Sequence, residues 1–419
     1  MKVAVVGGGA VGLSSAWALA EAGADVTVLE RDRCGHGCTF GNTGWICPAL
    51  SAPLPAPGVM LTALKGMWRP SSPILIRPFF GASFLRWSWA FWRACSPSRY
   101  QAGLEATLAL GARSVDLFRE LQAAGVEFEL YERGMLVAAL TRAGLDEYDE
   151  MLGGARAAGY EGEIHLLGGD EIRRLDPAVS TAVVGGLHAP AERYVRPESF
   201  ARGLADALRA RGAEVREGVG VEGMTRRDGR WHLATGDEAV VADAVVVAAG
   251  AWSGRLLAGI VHVPMEAAKG YSVTARGDGT LPAHALYLAE AKVGCSSFGD
   301  SLRIAGIFDL TGIDSTLRRR RLANIVRSST PYLRDWRPTD VELEWAGLRP
   351  YPPDGLPIVG AVPGQDGLFL ATGHGRMGIT LAPATGKAVA ALVTEGTLAD
   401  ELRPFGVDRF TRASVRAAA

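Results

Sequence analysis

The sequence predicts an α/β fold with two parts, and three observations lead to it. The first thirty residues read as strand, glycine turn, helix and second strand. Two further apolar runs, at residues 244–249 and 367–371, each enter a glycine-containing turn, as buried parallel strands do. Between them, residues 270–308 alternate in the way that is typical of antiparallel strands. We therefore expect a discontinuous parallel-sheet domain combined with an antiparallel-sheet α+β domain.

The predicted domain boundaries follow from where each pattern occurs along the 419 residues. The parallel-sheet domain takes residues 1–50, 180–255 and 340–400. The α+β domain takes residues 51–179 and 256–339, and residues 401–419 form a C-terminal tail. A chain of this length exceeds one typical hydrophobic core, so two domains are the expected outcome.

The N-terminal turn carries the clearest chemistry. Gly7, Gly9 and Gly12 complete a G-x-G-x-x-G pattern that permits a tight turn, a close approach to a pyrophosphate and close helix–strand packing. The helix N-terminus at Ala10 and Val11 offers free N–H groups to phosphates. Glu30 lies eighteen residues beyond Gly12, where a carboxylate can accept hydrogen bonds from ribose hydroxyls. The stretch predicts a Rossmann-like dinucleotide-binding domain.

Composition excludes several other classes of protein. A net charge of −1 gives no global reason to expect a nucleic-acid partner. No apolar stretch approaches 18 residues and the N-terminus does not read as a signal peptide, so we expect a cytoplasmic protein without a transmembrane helix. Cys34, Cys38 and Cys47 cluster with His36, but their spacing matches no common zinc pattern, so we expect no metal.

The segment of residues 51–104 is locally unusual. No Asp or Glu occurs between Arg33 and Glu105, whereas six basic residues are interleaved with Trp, Phe and Tyr over residues 65–100. This mixture suits a surface that lies in a membrane interface. Internal packing or a subunit contact, which is common for Trp, also accounts for the same aromatic residues and is somewhat favoured, but both interpretations stay open.

The other elements follow from local patterns. We expect helices at residues 104–125, 141–157, 171–175, 315–330, 381–394 and from 197 onward. We expect strands at residues 213–217, 270–275, 285–295 and 301–308, and hairpins at residues 129–139 and 231–240. Residues 31–50 read as a loop.

A second helix N-terminus, at Ile379 and Thr380, is also reached through a glycine turn from a buried strand. The positive end of its dipole would stabilise the anionic pyrimidine of a reduced flavin, whereas nicotinamide needs no such site. His374 in this turn could donate to the same charge, or could be a loop histidine bonded to backbone. FAD is therefore favoured over NAD.

Arg349, in the segment WAGLRPYPPDGLPIVG, is the residue predicted to bind substrate. A guanidinium there can hold a carboxylate through two parallel hydrogen bonds and so position the substrate Cα–H for hydride transfer. The alternative is a structural ion pair with Asp354. Tyr271 and Tyr287 could bond the same carboxylate or cap the pocket, although core tyrosines are as plausible.

With these residues in view, the chain resembles the FAD-dependent D-amino acid dehydrogenases of the D-amino acid oxidase superfamily. The motifs that carry the resemblance are VVGGGAVGLSSAWALAEAGADVTVLER, FGNTGWICP, RYVRPESFARGLADAL, VVVAAGAWSGRLL, AKGYSV, WAGLRPYPPDGLPIVG and LFLATGHGRMGIT. Several pieces look like the branch acting on D-proline or D-hydroxyproline. Thr43–Gly44–Trp45 and Arg376–Met377 depart from the residues expected there.

The resemblance implies a role for each matching position. Gly7, Gly9, Gly12 and Glu30 would hold the ADP half, and the loop of residues 39–46 would lie over the isoalloxazine. The Val221 backbone would meet the adenine, residues 250–252 would line the cofactor, and residues 373–380 would contact the flavin pyrimidine. The predicted cofactor residues are Gly7, Gly9, Ala10, Val11, Gly12, Glu30, Arg31, Thr39, Asn42, Thr43, Gly44, Trp45, Val221, Gly250, Trp252, Gly373, Gly375, Met377, Gly378, Ile379 and Thr380, and the predicted catalytic residues are Arg349, Tyr271, Tyr287 and His374.

The implied activity is oxidation of a D-amino acid by hydride transfer from Cα to flavin N5, with electrons passing to a quinone-type acceptor. The resemblance also implies how FAD is held: sarcosine oxidases attach their flavin through a cysteine just before the segment equivalent to PPDG, and since this sequence has no cysteine there, we expect non-covalent FAD. Peripheral contact with the inner face of the cell membrane through residues 65–100 would fit a quinone acceptor. Two alternatives stay open, an oxygen-using glycine or sarcosine type of amine oxidase and a flavin-binding subunit of a larger dehydrogenase.

Overall fold

The structure is a computed structural model that describes residues 1–60, 74–76, 81–236 and 238–410. Its strands are β1 (Lys2–Val6), β2 (Asp25–Glu30), β3 (Trp45–Ile46), β4 (Ile74–Ile76), β5 (Leu130–Tyr131), β6 (Met135–Ala139), β7 (His165–Gly168), β8 (Gly185–Ala189), β9 (Arg193–Val195), β10 (Glu214–Glu217), β11 (Gly223–Arg227), β12 (Arg230–Thr235), β13 (Glu238–Ala242), β14 (Ala244–Val247), β15 (Glu266–Asp278), β16 (Ala285–Leu288), β17 (Val293–Phe298), β18 (Ser301–Leu310), β19 (Arg337–Tyr351), β20 (Ile358–Ala361) and β21 (Leu368–Thr372).

The α-helices of the described residues are α1 (Ala10–Glu21), α2 (Ala82–Ala94), α3 (Pro97–Gly111), α4 (Ser114–Ala123), α5 (Arg142–Ala157), α6 (Gly169–Leu175), α7 (Pro197–Ala210), α8 (Ser253–Leu256), α9 (Arg319–Ser329) and α10 (Gly378–Glu395). Short 3-10 turns occur at Pro48–Leu50, Gly250–Trp252, Thr330–Tyr332 and Asp400–Phe405. No helix among these residues is long and apolar enough to cross a membrane.

A six-stranded sheet in the order β10-β2-β1-β14-β21-β20 forms the first layer. Its first five strands are parallel, and β20 is antiparallel to β21. One face packs against α1, α7 and α10, and the other packs against the small antiparallel sheet of β11, β12 and β13. Because both faces are covered, β1 and β14 read as continuous apolar runs. The predicted parallel sheet is confirmed.

A nine-stranded sheet forms the second layer, in the order β19-β15-β18-β17-β16-β6-β8-β7 with β4 added beside β18. Most of its pairs are antiparallel, while β16–β6 and β4–β18 are parallel. The strands β15, β17 and β18 bury one face against α9. The mixed α/β class with a second, largely antiparallel sheet is therefore confirmed.

The predicted domain boundaries stay a prediction. The strand pairing shows only to which sheet each strand belongs. β8 and most of β19 lie in segments that the sequence assigned to the parallel-sheet domain, yet both are hydrogen-bonded into the nine-stranded sheet. Of the predicted C-terminal tail, residues 411–419 lie outside the described residues.

Three local predictions were wrong. Residues 129–139 form no hairpin, because β6 is buried along its whole length and pairs with β8 and β16, while β5 pairs with β9. The helix expected at residues 104–125 is two helices, α3 and α4, which both pack on α10 on either side of a break after Gly111. Glycine at this point lowers helix propensity. The strand expected at residues 285–295 is the hairpin of β16 and β17, with Lys292 in its turn at φ +52°.

The aromatic segment divides between the two interpretations that its sequence left open. Trp87 and Phe91 on α2 are buried, and the Trp87 indole donates to the carbonyl of Tyr351 at 2.9 Å. Trp89 and Trp92 on the same helix are 60% and 55% exposed, and their rings stack at 4.9 Å. The other basic and aromatic residues of this segment at positions 61–73 and 77–80 lie outside the described residues.

Candidate functional site

A large cavity of about 1190 Å³ lies between the two main sheets. Its wall includes the carboxyl ends of β1, β2, β14 and β21, which is where ligands bind in open parallel sheets. It continues to β16, β18 and β19 of the nine-stranded sheet. The cavity therefore joins the predicted dinucleotide site to the predicted substrate site. All of the predicted site residues lie on its wall except Gly12 and Gly44.

The glycine turn after β1 needs glycine for two steric reasons. Gly7 has φ +111°, and a Cβ there would come within 2.5 Å of the Ala248 carbonyl oxygen. A Cβ on Gly12 would come within 1.9 Å of the Gly7 carbonyl oxygen, so Gly12 acts through packing below the turn. Gly9 lies on the cavity wall, where a missing side chain leaves backbone open to a ligand.

The polar groups around this turn are held in defined positions. The Ala10 N–H donates to the Thr39 hydroxyl at 3.0 Å, which caps the start of α1. Glu30 accepts hydrogen bonds from the Gly8 N–H at 2.7 Å and the Asp32 N–H at 3.0 Å. These bonds fix the carboxylate at the end of β2, on the cavity wall.

Arg31, Val221 and Trp252 meet at the same end of the cavity. The Arg31 guanidinium lies 3.7 Å from the centroid of the Trp252 ring, in a cation–π contact. Gly250 and Trp252 belong to the turn after β14. The structure therefore brings Arg31, Val221 and Trp252, three of the predicted cofactor residues, to one part of the cavity.

The loop of residues 39–46 is tied to the nine-stranded sheet. Its Asn42 amide donates to the Thr39 carbonyl at 2.8 Å and accepts from the Gly44 N–H at 2.7 Å. The Ser296 hydroxyl bonds the Thr43 carbonyl at 2.8 Å and accepts from the Trp45 indole at 2.9 Å. The loop therefore has one fixed course along the cavity.

Two residues that anchor this loop, Ser296 and Arg303, were not identified in the sequence analysis. The buried Arg303 donates to the Asn42 carbonyl at 3.0 Å, to Glu198 at 2.6 Å and to the Thr274 hydroxyl at 2.8 Å. Ser296 and Arg303 sit on strands more than 250 residues along the chain from the loop, and no motif marks them. A buried arginine in an otherwise apolar strand, SLRIAG, was the available signal.

The second glycine turn leads from β21 into α10. Gly373, Gly375, Met377, Gly378 and Ile379 all contribute to the wall. A further wall residue, Thr380, accepts from the Cys47 N–H at 3.1 Å and donates to the Trp45 carbonyl at 3.0 Å, so the helix start is bound to the 39–46 loop. Helix α10 begins three residues earlier than predicted.

His374 is buried beside this turn and is hydrogen-bonded to the Thr385 hydroxyl at 2.9 Å through Nε2. Burial lowers the pKa of His374 to about 3. The side chain is therefore neutral at ordinary pH, so it adds no positive charge to the cavity. Its catalytic assignment stays a prediction.

Arg349 lies on the cavity wall at the end of β19. Its Nη1 donates to the Ile307 carbonyl at 2.9 Å, and it forms no ion pair with any described residue. The alternative partner, Asp354, is instead bonded by Arg409 at 2.8 Å. A Cβ on Gly270 would meet the Arg349 guanidinium at 2.3 Å, so this group lies flat against the glycine. An unpaired guanidinium in a cavity is suited to an anion.

The two predicted tyrosines occupy different surroundings. Tyr271 contributes to the wall, but its ring packs in the cluster that includes Ile325 and Tyr332, and its buried hydroxyl has no partner among the described residues. Tyr287 packs against the Trp45 ring at 5.7 Å and the Tyr148 ring at 5.3 Å. Burial raises the pKa of both tyrosines, so both are neutral donors.

Further wall residues escaped the sequence analysis. Tyr148 accepts a hydrogen bond of 3.0 Å from Lys292, which also pairs with Glu147 at 2.7 Å. Arg376, which the sequence analysis noted as a departure from the expected motif, lies in the turn before α10 and donates to the Ala52 carbonyl at 2.8 Å. Among the described residues, no group of three or more His, Cys, Asp or Glu side chains could hold a metal ion.

Comparison with solved structures reveals the same fold over almost the whole chain. Glycine oxidase from Geobacillus kaustophilus is 24% identical with a TM-score of 0.77, covering 97% of this chain and 98% of its own. L-proline dehydrogenase from P. horikoshii is 20% identical with a TM-score of 0.74, covering 98% of each chain. Iminodiacetate oxidase from Chelativorans sp. BNC1 is 22% identical with a TM-score of 0.74, covering 96% of this chain and 98% of its own.

The family comparison agrees with the geometry of the cavity. Its glycine turn excludes any Cβ at Gly7, its Glu30 carboxylate stands at the end of β2, and a second helix N-terminus opens on the same wall. These features fit an extended dinucleotide with a flavin ring. The chain matches the family described as FAD dependent oxidoreductase over residues 2–392. The protein belongs to the FAD dependent oxidoreductases, and its cofactor is FAD.

Proposed function

We propose that the protein oxidises a D-amino acid at its Cα–N bond and passes the electrons to a quinone-type acceptor. The Cα–H leaves as a hydride to FAD and the amine loses a proton, which gives an imine. Water then releases a 2-oxo acid and ammonia, or a cyclic imine remains when the substrate is of the proline type. FAD, when bound, supplies the two-electron acceptor.

The observation that carries the proposal is the unpaired Arg349 guanidinium in the same cavity as the dinucleotide site. A carboxylate bound there by two parallel hydrogen bonds would hold the substrate Cα in one orientation. The remaining protein contribution is positioning and exclusion of water, because the redox chemistry belongs to the cofactor.

The preference for a D-amino acid rests on motifs rather than on geometry. Apart from Thr43–Gly44–Trp45 and Arg376–Met377, the segments FGNTGWICP, AKGYSV and TGHGRMGIT support the dehydrogenase branch, and several of the segments resemble the D-proline type. FAD is proposed to be bound without a covalent link. The two cavity thiols for which burial raises the pKa, Cys38 and Cys47, are protonated at ordinary pH.

The quinone acceptor is supported by the exposed face of α2. Leu85, Trp89 and Trp92 present apolar surface to solvent, and Arg86 and Arg93 lie on the same helix. A helix that carries both tryptophan and arginine suits the interface of an anionic membrane, in which a quinone would dissolve. Contact with a membrane is therefore part of the proposal.

The deciding experiment is anaerobic titration of the purified flavoprotein with matched D- and L-amino acids, including D- and L-proline. The oxidised flavin band should bleach with D-amino acids and persist with their L-enantiomers. Bleaching by L-amino acids alone would contradict the D assignment. A flavoprotein that no amino acid bleaches would instead favour a flavin-binding subunit that acts only with partner chains.

A second candidate is an amine oxidase that uses oxygen, which the structural similarity to a glycine oxidase favours. The two candidates differ in how the reduced enzyme is reoxidised. We expect a soluble quinone analogue to reoxidise the bleached protein faster than dissolved oxygen does. If oxygen alone supports full turnover, with one hydrogen peroxide released for each substrate molecule oxidised, the oxidase is the correct candidate.

A further inference from the structure

Arg376 is a second cation on the wall of the cavity that holds Arg349. It occupies a position at which this sequence departs from the motif that it otherwise resembles. Its side chain is exposed, makes one hydrogen bond of 2.8 Å to the Ala52 carbonyl, and forms no ion pair with any described residue. A guanidinium has five N–H donors, so most of them stay available to a ligand.

Tyr351 connects the positions of the two arginines. Arg349 precedes it by two residues in β19, and the Gly375 N–H donates to the Pro350 carbonyl at 2.9 Å. A Cβ on Gly375 would come within 3.0 Å of the Tyr351 ring, so the turn that carries Arg376 packs directly on this tyrosine. Both guanidinium charges lower the pKa of the Tyr351 hydroxyl, although burial raises it more. Arg349 and Arg376 therefore flank one residue.

The acidic groups of the wall do not neutralise this pair. Three acidic residues belong to the described wall, Glu30, Glu147 and Glu222. Glu30 is engaged by backbone N–H groups, Glu147 pairs with Lys292, and Glu222 adjoins Val221 at the ADP end. The substrate end of the cavity therefore carries two cations without a described carboxylate partner, an arrangement that favours a ligand with two negative charges.

We propose that Arg376 forms a second anion subsite, so that the preferred substrate is an amino acid with two carboxylates. Arg349 binds the carboxylate next to the reacting Cα, and Arg376 binds the distal carboxylate. This inference rests on the proposed amino acid oxidation and names its substrate class. The second arginine sets specificity because a mono-carboxylate leaves its guanidinium without a partner.

The test starts with the binding of carboxylates to the oxidised holoprotein, which is measured through the change in its flavin absorption. Succinate and glutarate are compared with butyrate and pentanoate, which have matching chain lengths and one carboxylate. We expect the dicarboxylates to bind ~10- to 100-fold more tightly, the effect of one charge-assisted pair. Arg376→Met should abolish that difference in affinity, while the affinity for monocarboxylates should stay within about threefold of that of the parent protein.

Two further variants separate charge from structure. Arg376→Lys keeps the charge and should retain part of the preference, whereas Arg156→Met removes an exposed arginine of α5 and should change nothing. In turnover, kcat/KM for D-glutamate relative to D-norvaline should fall by ~10- to 100-fold in Arg376→Met. Equal affinities for mono- and dicarboxylates, or equal losses for both in Arg376→Met, would overturn the subsite.

The outcomes also distinguish this inference from the proposed function. Flavin bleaching by D-norvaline without any dicarboxylate preference leaves the oxidation intact and removes the second subsite. If the protein binds dicarboxylates selectively but no amino acid reduces its flavin, the proposed oxidation is contradicted while the anion site at Arg376 is retained. The flavin content of each variant, measured after denaturation, shows whether the cavity has stayed assembled.

Discussion

The carbonyl oxygen of Ile307 accepts a hydrogen bond of 2.9 Å from the guanidinium of Arg349. Ile307 has φ +72°, in the left-handed region that β-branched residues rarely adopt. It lies where the register of β15 and β18 shifts between Lys269 and Tyr271. A conformation of this kind costs about 1–3 kcal/mol and is held by its surroundings. The bulge thus turns a backbone carbonyl toward the predicted substrate-binding arginine.

Removing the Arg349 guanidinium tests its role directly. Arg349→Ala should raise KM for amino acid substrates by ~10²-fold or more, because a charge-assisted pair contributes a few kcal/mol. Arg349→Lys should recover only part of this loss, since an ammonium cannot form the two parallel bonds. Steady-state kinetics with equal flavin content in all variants is the measurement. An unchanged KM would mean that Arg349 is structural.

Gly270→Ala should displace the same guanidinium without changing its charge. The new Cβ would meet Arg349 at 2.3 Å, so the side chain must move from its place over β15. We expect a rise in KM of ~10-fold or more with flavin content unchanged, because misplacement weakens directional bonds. Gly153→Ala, on α5 with nothing within 4 Å of its Cβ, is the matched control. The prediction fails if both variants have the same KM.

Gly12→Ala should abolish stable FAD binding. A Cβ there would lie 1.9 Å from the Gly7 carbonyl oxygen, and backbone cannot give way as a flexible side chain can. The purified variant should be colourless, or should lose its flavin on gel filtration. Gly154→Ala, whose Cβ meets nothing within 4 Å, should keep the absorption spectrum of the parent protein. A fully yellow Gly12→Ala protein would count against the turn as the pyrophosphate site.

Membrane contact through α2 is tested by substituting both exposed tryptophans. Trp89→Ala with Trp92→Ala should abolish sedimentation with anionic vesicles, since these rings supply most of the exposed apolar area of the helix. Trp87 is excluded because it is buried and bonded to Tyr351. Leu166→Ala with Val341→Ala removes exposed apolar side chains elsewhere and serves as control. Unchanged sedimentation of the double tryptophan variant would refute the contact.

Glu192 predicts a pH dependence of stability. Burial raises the pKa of this carboxyl from 4.5 to about 7. Its Oε1 accepts from the Tyr160 hydroxyl at 2.6 Å and the Ala49 N–H at 3.1 Å, while the buried Oε2 has no partner among the described residues. Between pH 4.5 and 7 the folded protein keeps a proton that the unfolded chain has lost, so stability falls as the pH rises, by at most about 1.4 kcal/mol per unit.

Glu192→Gln removes this titration and keeps the shape of the side chain. The Tm of the parent protein relative to the variant should therefore fall between pH 4.5 and 7 and then stay constant. Thermal unfolding of both proteins across pH 4 to 8 measures the difference. A difference in Tm that is independent of pH would show that Glu192 is ionised in the folded protein.

Local patterns predicted the elements whose residues are neighbours in the chain. β1, α1 and β2 follow from apolar periodicity and glycine positions within thirty residues, and each was found within three residues of its expected ends. Which strands pair with one another was harder to predict, because strand pairing depends on distant chain segments. The buried run of β6 needed two neighbours, β8 and β16, so the expected local hairpin did not form.

The same dependence on distant chain segments limited the prediction of the candidate site. The glycine turns and Arg349 stand in compact motifs, and the structure brings them to one cavity. Arg303, Ser296 and Lys292 reach that region from the nine-stranded sheet through side-chain bonds that no spacing in the sequence indicates. Tyr271 was selected for its residue type, but the pleat of β15 directs its ring toward the α9 cluster.

The order of strands in the six-stranded sheet has a consequence for synthesis of the chain. β1 lies between β2, which follows within thirty residues, and β14, whose register pairs Val3 with Ala244. β14 in turn needs β21, which ends at Thr372. At roughly 5–20 residues per second, the ribosome takes on the order of tens of seconds to deliver these partners. β1 and its glycine turn are thus made well before β14 and β21, the strands that complete this side of the sheet.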